Sequence, residues 1–346
     1  MFNINSDVQL DKVTSFLKEY GGNHASHLIF LQDKEIYWAQ NEKVFIVYKN
    51  VANKLIVLGD PIGDESYIMA TIKEFIAYCK SKGKKAIFYQ INPRFMHYYH
   101  EAGYRFLKLG EEGKVNLDNF SIAGKQGAKL RTRVNKFNRN NVQFSVLYPP
   151  YSEQMLSDLQ KISHSWLGNQ KEKGFSVVSY KEEYVSRFPV AIMRDSTGNL
   201  IAFATLATDH KASIAIDLMR KSSDSPHGTM DVLFVHIFHW AKEKGYQTCS
   251  LGMAPLANVG NCQHSFFREK LIHLAYQHGN SLYKFKGLKE FKSKFACTWE
   301  PKYLAYKKSF LPLVLIHLLL LINKRQPKLE TKNQTTPTYE KEELLS

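Results

Sequence analysis

None of the common cofactor or hydrolase signatures occurs in the 346 residues. There is no Gly-x-Gly-x-x-Gly, Walker loop, His-Glu-x-x-His or Gly-x-Ser-x-Gly, which removes the usual dinucleotide, nucleotide, zinc-protease and serine-hydrolase readings. Cysteine is scarce: Cys79, Cys249, Cys262 and Cys297 lie far apart without a Cys-x-x-Cys pair. Reduced thiols in a cytosolic compartment are expected, and neither a disulfide framework nor a metal site is. The first dozen residues carry no apolar segment of a secretory signal, so a cytosolic protein is the expectation. Phe310–Ile322 is apolar apart from His317, but a spanning helix needs about 20 such residues. That segment, assigned to 309–325, reads either as a terminal helix packed on the protein or as an interfacial membrane helix. Its basic flanks, Lys307-Lys308 and Lys324-Arg325, favour the membrane. The polar tail 326–346 shows no periodicity and is expected to be disordered.

What is present is a core and a large positive charge. With 44% hydrophobic and 13% aromatic residues, the chain can build two domains of ordinary size. A net charge of +15 points to a polyanionic partner, nucleic acid or an anionic membrane. Between Asn119 and Ser152 no acidic residue occurs, while Lys125, Lys129, Arg131, Arg133, Lys136 and Arg139 all do. A solvated linker helix is the simplest account, but a run of one sign gains nothing from pairing within the helix and suits a polyanion.

Periodicity divides the chain in two. Leu28–Leu31, Ile36–Ala39, Val44–Tyr48 and Lys54–Leu58 read as short strands, Glu65–Lys82 as a helix, Ala86–Gln90 as a buried strand, Arg94–Ala102 as a helix and Tyr104–Leu109 as a strand. The second half repeats the scheme. Met155–Trp166 is a helix, Val190–Met193 and Leu200–Ala207 form a hairpin, and Ser213–Met219 is a strand. Met230–Lys244 is a helix with Asp231 in its first turn, and Gln247–Leu251 is the next strand. Residues from Tyr283 on read as a strand and then a basic helix, whose Lys289, Lys292 and Lys294 suit phosphate contact.

The densest segment runs from Ser213 to Gly260. Ile214 and Ile216 alternate with Ala215 and Asp217, a period of two that places Met219 on the face of Asp217. Taken alone, Asp217 and Arg220 read as a structural ion pair at a strand end. The segment includes Asp217-Leu218-Met219-Arg220 and Leu251-Gly252-Met253-Ala254-Pro255-Leu256-Ala257-Asn258. Before it stand Leu58-Gly59-Asp60-Pro61, Lys108-Leu109-Gly110-Glu111-Glu112 and Glu172-Lys173-Gly174-Phe175, and after it Trp299-Glu300-Pro301-Lys302-Tyr303. Together these closely resemble the cytosolic catalytic domain of bacterial phosphatidylglycerol lysyltransferases, from about His27 to Lys308.

That resemblance implies an α/β (α+β) fold of two tandem acetyltransferase-like domains, mixed sheets flanked by helices, at 1–120 and 151–308. The basic stretch 121–150 would separate them. It implies transfer of an aminoacyl group, most simply lysyl, from aminoacyl-tRNA to phosphatidylglycerol. The product is a cationic lipid that favours resistance to cationic antimicrobial peptides. Asp217 and Arg220 are the implied catalytic residues, and Asp231, Met253, Asn258, Glu269, Lys270, Tyr283 and Lys289 candidate substrate contacts. The basic stretch would bind the charged tRNA. No cofactor is expected, because the aminoacyl ester is already activated. The loop Ser225-Pro226-His227-Gly228-Thr229-Met230 also has one glycine where coenzyme A is normally cradled by several. The family's multi-span amino-terminal region has no counterpart here, so the expected location is the cytoplasmic face of the membrane, peripheral or interfacially anchored, with a separate membrane-spanning flippase as a partner. A peptidoglycan-branch aminoacyltransferase and a non-catalytic RNA- or membrane-binding module are the alternatives.

Overall fold

A computed structural model describes residues 6–259 and 283–323. The chain opens with a helix, α1 (Ser6–Tyr20), and a 3₁₀ turn (Ser26–Leu31), followed by β1 (Glu35–Ala39), β2 (Val44–Val51), β3 (Lys54–Leu58) and the two-residue β4 (Ile62–Gly63). Helix α2 (Ile68–Ser81) leads to β5 (Lys85–Ile91), and the short α3 (Met96–Glu101) to the long β6 (Arg105–Asn116). The basic helix α4 (Ala128–Arg139) follows, then β7 (Gln143–Leu147), α5 (Glu153–Leu167), α6 (Glu182–Val185), β8 (Val190–Arg194), β9 (Leu200–Thr208) and β10 (Ser213–Lys221). The described chain closes with α7 (Thr229–Glu243), β11 (Thr248–Pro255), α8 (Tyr283–Lys292), β12 (Thr298–Tyr306) and α9 (Leu311–Asn323).

The twelve strands of the described residues join one sheet, ordered β1-β2-β3-β5-β12-β6-β11-β10-β9-β8-β7, with β4 beside β2. Each half is an antiparallel meander that ends in one parallel step across a helix: β3 to β5 over α2, and β10 to β11 over α7. The last strands are exchanged. β12 lies between β5 and β6, and β6 lies against β11. The first and second halves of the chain therefore share one sheet through β6 and β12. On one face a single apolar core runs under both halves, from Val13 and Phe45 to Phe203 and Leu318. The other face carries two separate cores, one under α2 around Phe75 and Phe88, the other under α7 around Phe234 and Phe238. This is the mixed α/β, acetyltransferase-like architecture expected from the sequence.

Three local expectations change. Leu28–Leu31 is the end of a wholly buried 3₁₀ turn rather than a strand; four apolar residues carry too little period to separate the two. Residues from Tyr283 are helical from the start; near the end of that helix Phe291 meets Phe234 edge-on, and Phe295, past it, stacks on the same ring. In β10 a bulge between Ile216 and Met219 adds one residue against β9. Past it Met219 joins the Ile214 and Ile216 face, and Arg220, opposite Phe203, shares the face of Asp217.

Candidate active site

β10 and β11 pair in parallel only from Ser213 to Ala215 against Thr248 to Ser250. Beyond that point both strands bulge, β10 after Ile216 and β11 between Ser250 and Met253. Gly252 takes a left-handed φ of 72° in the second bulge. The strands part there, and a largely apolar cavity of ≈ 450 Å³ opens in the gap. Asp217 and Met253 line it from the two strands, Leu28, Tyr89 and Leu107 from the first half, and Leu315, Leu318, Leu319 and Ile322 from α9.

Asp217 is the polar end of that cavity. His27 Nε2 lies 2.7 Å from Asp217 Oδ2, and the Tyr184 hydroxyl donates to the same oxygen at 2.9 Å. The 3₁₀ turn supplies His27 and α6 supplies Tyr184, both from the shared core face. Burial and the neighbouring Asp217 charge hold the Tyr184 phenol well above its ordinary pKa, so it stays a donor. Arg220 takes a different partner: its Nη2 donates to Glu172 Oε2 at 3.1 Å, and its Nη1 to Met219 O at 3.3 Å. Burial lowers the guanidinium's pKa, with Glu172 and Asp217 opposing. Its Nε is buried without a hydrogen-bond partner. The structural ion pair between Asp217 and Arg220 is thus replaced by two pairs that leave an acid and a buried donor on one face.

A second, polar cavity of ≈ 290 Å³ meets the first. His24, His27, Ala215 and Ser250 line both. In the polar cavity Lys302, 1% exposed, bridges Glu112 and Glu300 at 2.9 Å each, and Lys114 reaches Glu300 at 2.8 Å. Burial would raise the Glu112 carboxyl, but the positive groups around it, Lys302 and Lys114 among them, and the Ser250 hydroxyl hold it below its ordinary value. Burial, reinforced by Lys302, pushes His24 down to about 3, so that ring is neutral. Asp60 accepts from the Asn92 N–H at 2.8 Å and the Tyr99 hydroxyl at 2.9 Å. Burial nevertheless raises it to about 7.

The three lysines expected to form one phosphate-binding face go three ways. Lys289 donates to Asn258 Oδ1 at 2.6 Å, and Asn258 donates in turn to Glu111 at 2.6 Å. Lys294 donates to Asp231 at 2.9 Å. Lys292 is buried and donates to the Gly252 and Met253 carbonyls of the β11 bulge, both at 3.0 Å. Burial lowers it to about 8, against the pull of Glu112 and Asp217.

Of the remaining expected residues, Met253 lines the apolar cavity, while Asn258 does not line it but accepts, through its backbone carbonyl, from Lys108, which does. Asp231 is elsewhere. It is 4% exposed in the first turn of α7 and is neutralised by Arg133 and Lys294. A buried carboxylate thus occupies the helix end that would otherwise attract a phosphate. Lys125, just before α4, and Lys129, Lys136 and Arg139 on it are exposed, whereas Arg131 turns back to the Ile122 and Gly124 carbonyls and Arg133 to Asp231. Glu269 and Lys270, the Tyr283 side chain and the tail 326–346 lie outside the described residues. His27 and Tyr184 carry no sequence signal of their own. Each is a lone polar residue in a buried element, brought to the gap only by packing, whereas Lys292 was visible only as one of a run of lysines.

The sheet splayed between two parallel strands, with His27 at the junction of two cavities and Asp217 paired to it from the apolar one, defines an acetyltransferase-like α/β protein with a two-sided site. The chain belongs to the phosphatidylglycerol lysyltransferase C-terminal family, whose model matches residues 14–306. It is 41% identical over 300 residues to phosphatidylglycerol lysyltransferase of Bacillus subtilis and 39% identical over 300 residues to that of Staphylococcus haemolyticus. Both alignments cover 86% of this chain but only 35% and 36% of those proteins, so the chain spans about a third of their length. The solved structure of L-PGS from Bacillus licheniformis superposes with a TM-score of 0.81 at 40% identity, covering 91% of this chain and 97% of that one. The fold alone is shared with FemX, at a TM-score of 0.56 and 9% identity over 88% of this chain and 97% of that one.

Proposed function

We propose that the chain transfers an aminoacyl group, lysyl, from aminoacyl-tRNA to a glycerol hydroxyl of phosphatidylglycerol at the cytoplasmic face of the membrane. The observation that carries this reading is the His27–Asp217 pair at the junction of an apolar and a polar cavity. A diacyl lipid and an aminoacylated polynucleotide differ in the same way as those two cavities. The lipid's chains would lie along α9, with its glycerol hydroxyl at Asp217. The aminoacyl ester would come from the polar side, its tRNA held on the exposed cations of α4.

The glycerol oxygen attacks the ester carbonyl carbon, and the bond from that carbon to the ribose oxygen breaks. The proton lost by the glycerol ends on the ribose hydroxyl released with the tRNA. Asp217, held by Tyr184 and His27, orients and deprotonates the attacking hydroxyl, and His27 can carry the proton across the junction. Arg220, fixed by Glu172, has a buried Nε donor for the oxyanion or the lipid phosphate. No cofactor is needed, since the reaction exchanges one ester for another. The product lipid is cationic and would lower the membrane's negative charge, which favours resistance to cationic antimicrobial peptides; a separate flippase would move it outward.

Incubation with a panel of radiolabelled aminoacyl-tRNAs and phosphatidylglycerol vesicles tests the proposal. Label should enter the lipid from lysyl-tRNA. Label from none of the panel, or transfer only to a lipid-linked cell-wall precursor, would overturn it.

A further inference from the structure

The sides of α9 that face away from the protein are as apolar as the sides that face it. Leu311, Val314, Leu318 and Leu321 are buried in the shared core, which makes α9 part of the folded body. Leu313, Ile316, Leu319 and Leu320 are 42% to 62% exposed, and Phe310, just before the helix, is 72% exposed. Their spacing sets them along one stripe. Five of the nine large apolar side chains exposed among the described residues fall in these eleven positions, a patch rather than the usual scatter.

We propose that this stripe and the basic notch beside its first residue form a docking surface for an anionic bilayer, which passes lipid to the apolar cavity from the side. The proposal rests on the reading that the cavity takes a lipid. Leu319 belongs to both the stripe and the cavity wall, so the mouth of the cavity opens along the stripe. At the start of the helix the notch is lined by Arg105, Tyr306, Lys307, Lys308 and Ser309, with no acidic residue. Lys85 reaches the Lys308 carbonyl at 3.0 Å beside it. Apolar side chains bordered by exposed cations match acyl chains bordered by anionic headgroups. The 13 residues of α9 extend about 20 Å, and no described helix is long and apolar enough to cross a membrane. The helix therefore lies in the plane of the interface. A second copy on the stripe would set like-charged notches against each other, which the charge pattern disfavours.

The test uses the full chain and vesicles of phosphatidylcholine with or without phosphatidylglycerol. L313E/I316E/L320E changes only the solvent-facing stripe. It should keep the wild-type Tm and the wild-type transfer rate to detergent-dispersed phosphatidylglycerol, but partition at least about tenfold more weakly onto anionic vesicles. Wild-type partition should fall with added salt. As an independent readout, Ile316→Trp should add an emission component quenched by brominated phosphatidylglycerol. Unchanged partition of the triple variant, or an unquenched tryptophan at 316, would overturn the proposal. So would a wild-type dimer that the triple variant dissolves, since the stripe would then be a self-interface. Intact, stripe-dependent partition with no aminoacyl transfer in either medium would uphold the docking surface and sink the activity.

Discussion

His27 Nε2 and Asp217 Oδ2 lie 2.7 Å apart, one side chain from the turn after α1 and the other from the bulged end of β10. The contact joins the first part of the chain to the second at the point where β10 and β11 separate. It is possible because the exchanged strands β6 and β12 lock both halves into one sheet. If the pair moves the proton, Asp217→Asn and His27→Gln should each lower kcat by about 10²-fold or more with little change in Tm. Single-turnover transfer from pre-charged tRNA, beside thermal melts, measures both. Wild-type turnover in either folded variant removes that residue from the reaction.

Arg220 depends on Glu172 to stay in place. Glu172→Gln keeps the shape but weakens a charge-assisted bond to a largely buried guanidinium, a change of about 1–3 kcal/mol. The expected outcome is a five- to a hundredfold loss in kcat/KM, by about that energy. Arg220→Lys should not restore activity, because an ammonium lacks the guanidinium's separate Nε donor. Equal activity of the lysine variant would show that only charge is needed.

Two buried groups make opposite pH contributions. Lys292 sits at about 8, below its ordinary 10.5, so the folded state binds fewer protons than the unfolded state between those values and stability rises with pH across that window. Asp60 sits at about 7, above its ordinary 3.8, so its contribution is fully present below about pH 4 and is lost as pH rises to 7. Subtracting the Tm–pH curves of Lys292→Met and Asp60→Asn from wild type should isolate an upward limb above pH 8 and a downward limb below pH 7. A flat difference curve for either variant refutes its assignment.

The six cations on and just before α4 should separate into two groups. Replacing Lys125, Lys129, Lys136 and Arg139 by Gln should weaken tRNA binding and reduce the slope of log Kd against log salt, by roughly 0.7–0.9 for each phosphate no longer neutralised. The Tm should hardly move. Arg133→Gln should instead lower the Tm, because it strips one of two partners from a buried Asp231. Filter binding over a salt series decides the first, and calorimetry the second.

Removing 311–346 is a different experiment from altering the exposed stripe. Leu311, Val314, Leu318 and Leu321 would leave the core, an upper bound of about 6–12 kcal/mol at about 1.5–3 kcal/mol for each side chain. That rivals the whole stability of an ordinary domain. The truncated chain should aggregate or lose its cooperative melt, and a soluble truncation with the wild-type Tm would contradict the packing of α9.

Amphipathic period and turn residues were enough to place α2, α5, α7 and most strands, because each of those elements buries one face locally. Asp217 and Arg220 stood out because charge at the end of an apolar strand is costly unless paired or used; taken alone they read as an ion pair, and only the family resemblance implied a catalytic role. Their relation was not legible. A strict period of two puts them on opposite faces, and one extra residue at the bulge, whose pairing partner is β9, puts them on the same face. Nor could sequence separate the cations of α4 from one another, or Lys292 from Lys289 and Lys294. Which lysine points inward depends on the β11 carbonyls it meets. The apolar run before residue 323 declared its composition and left its role open. Packing decided that one side of α9 is core and cavity wall while the other stays exposed, because burial is a property of what lies opposite a side chain, and that is set by parts of the fold distant in the chain.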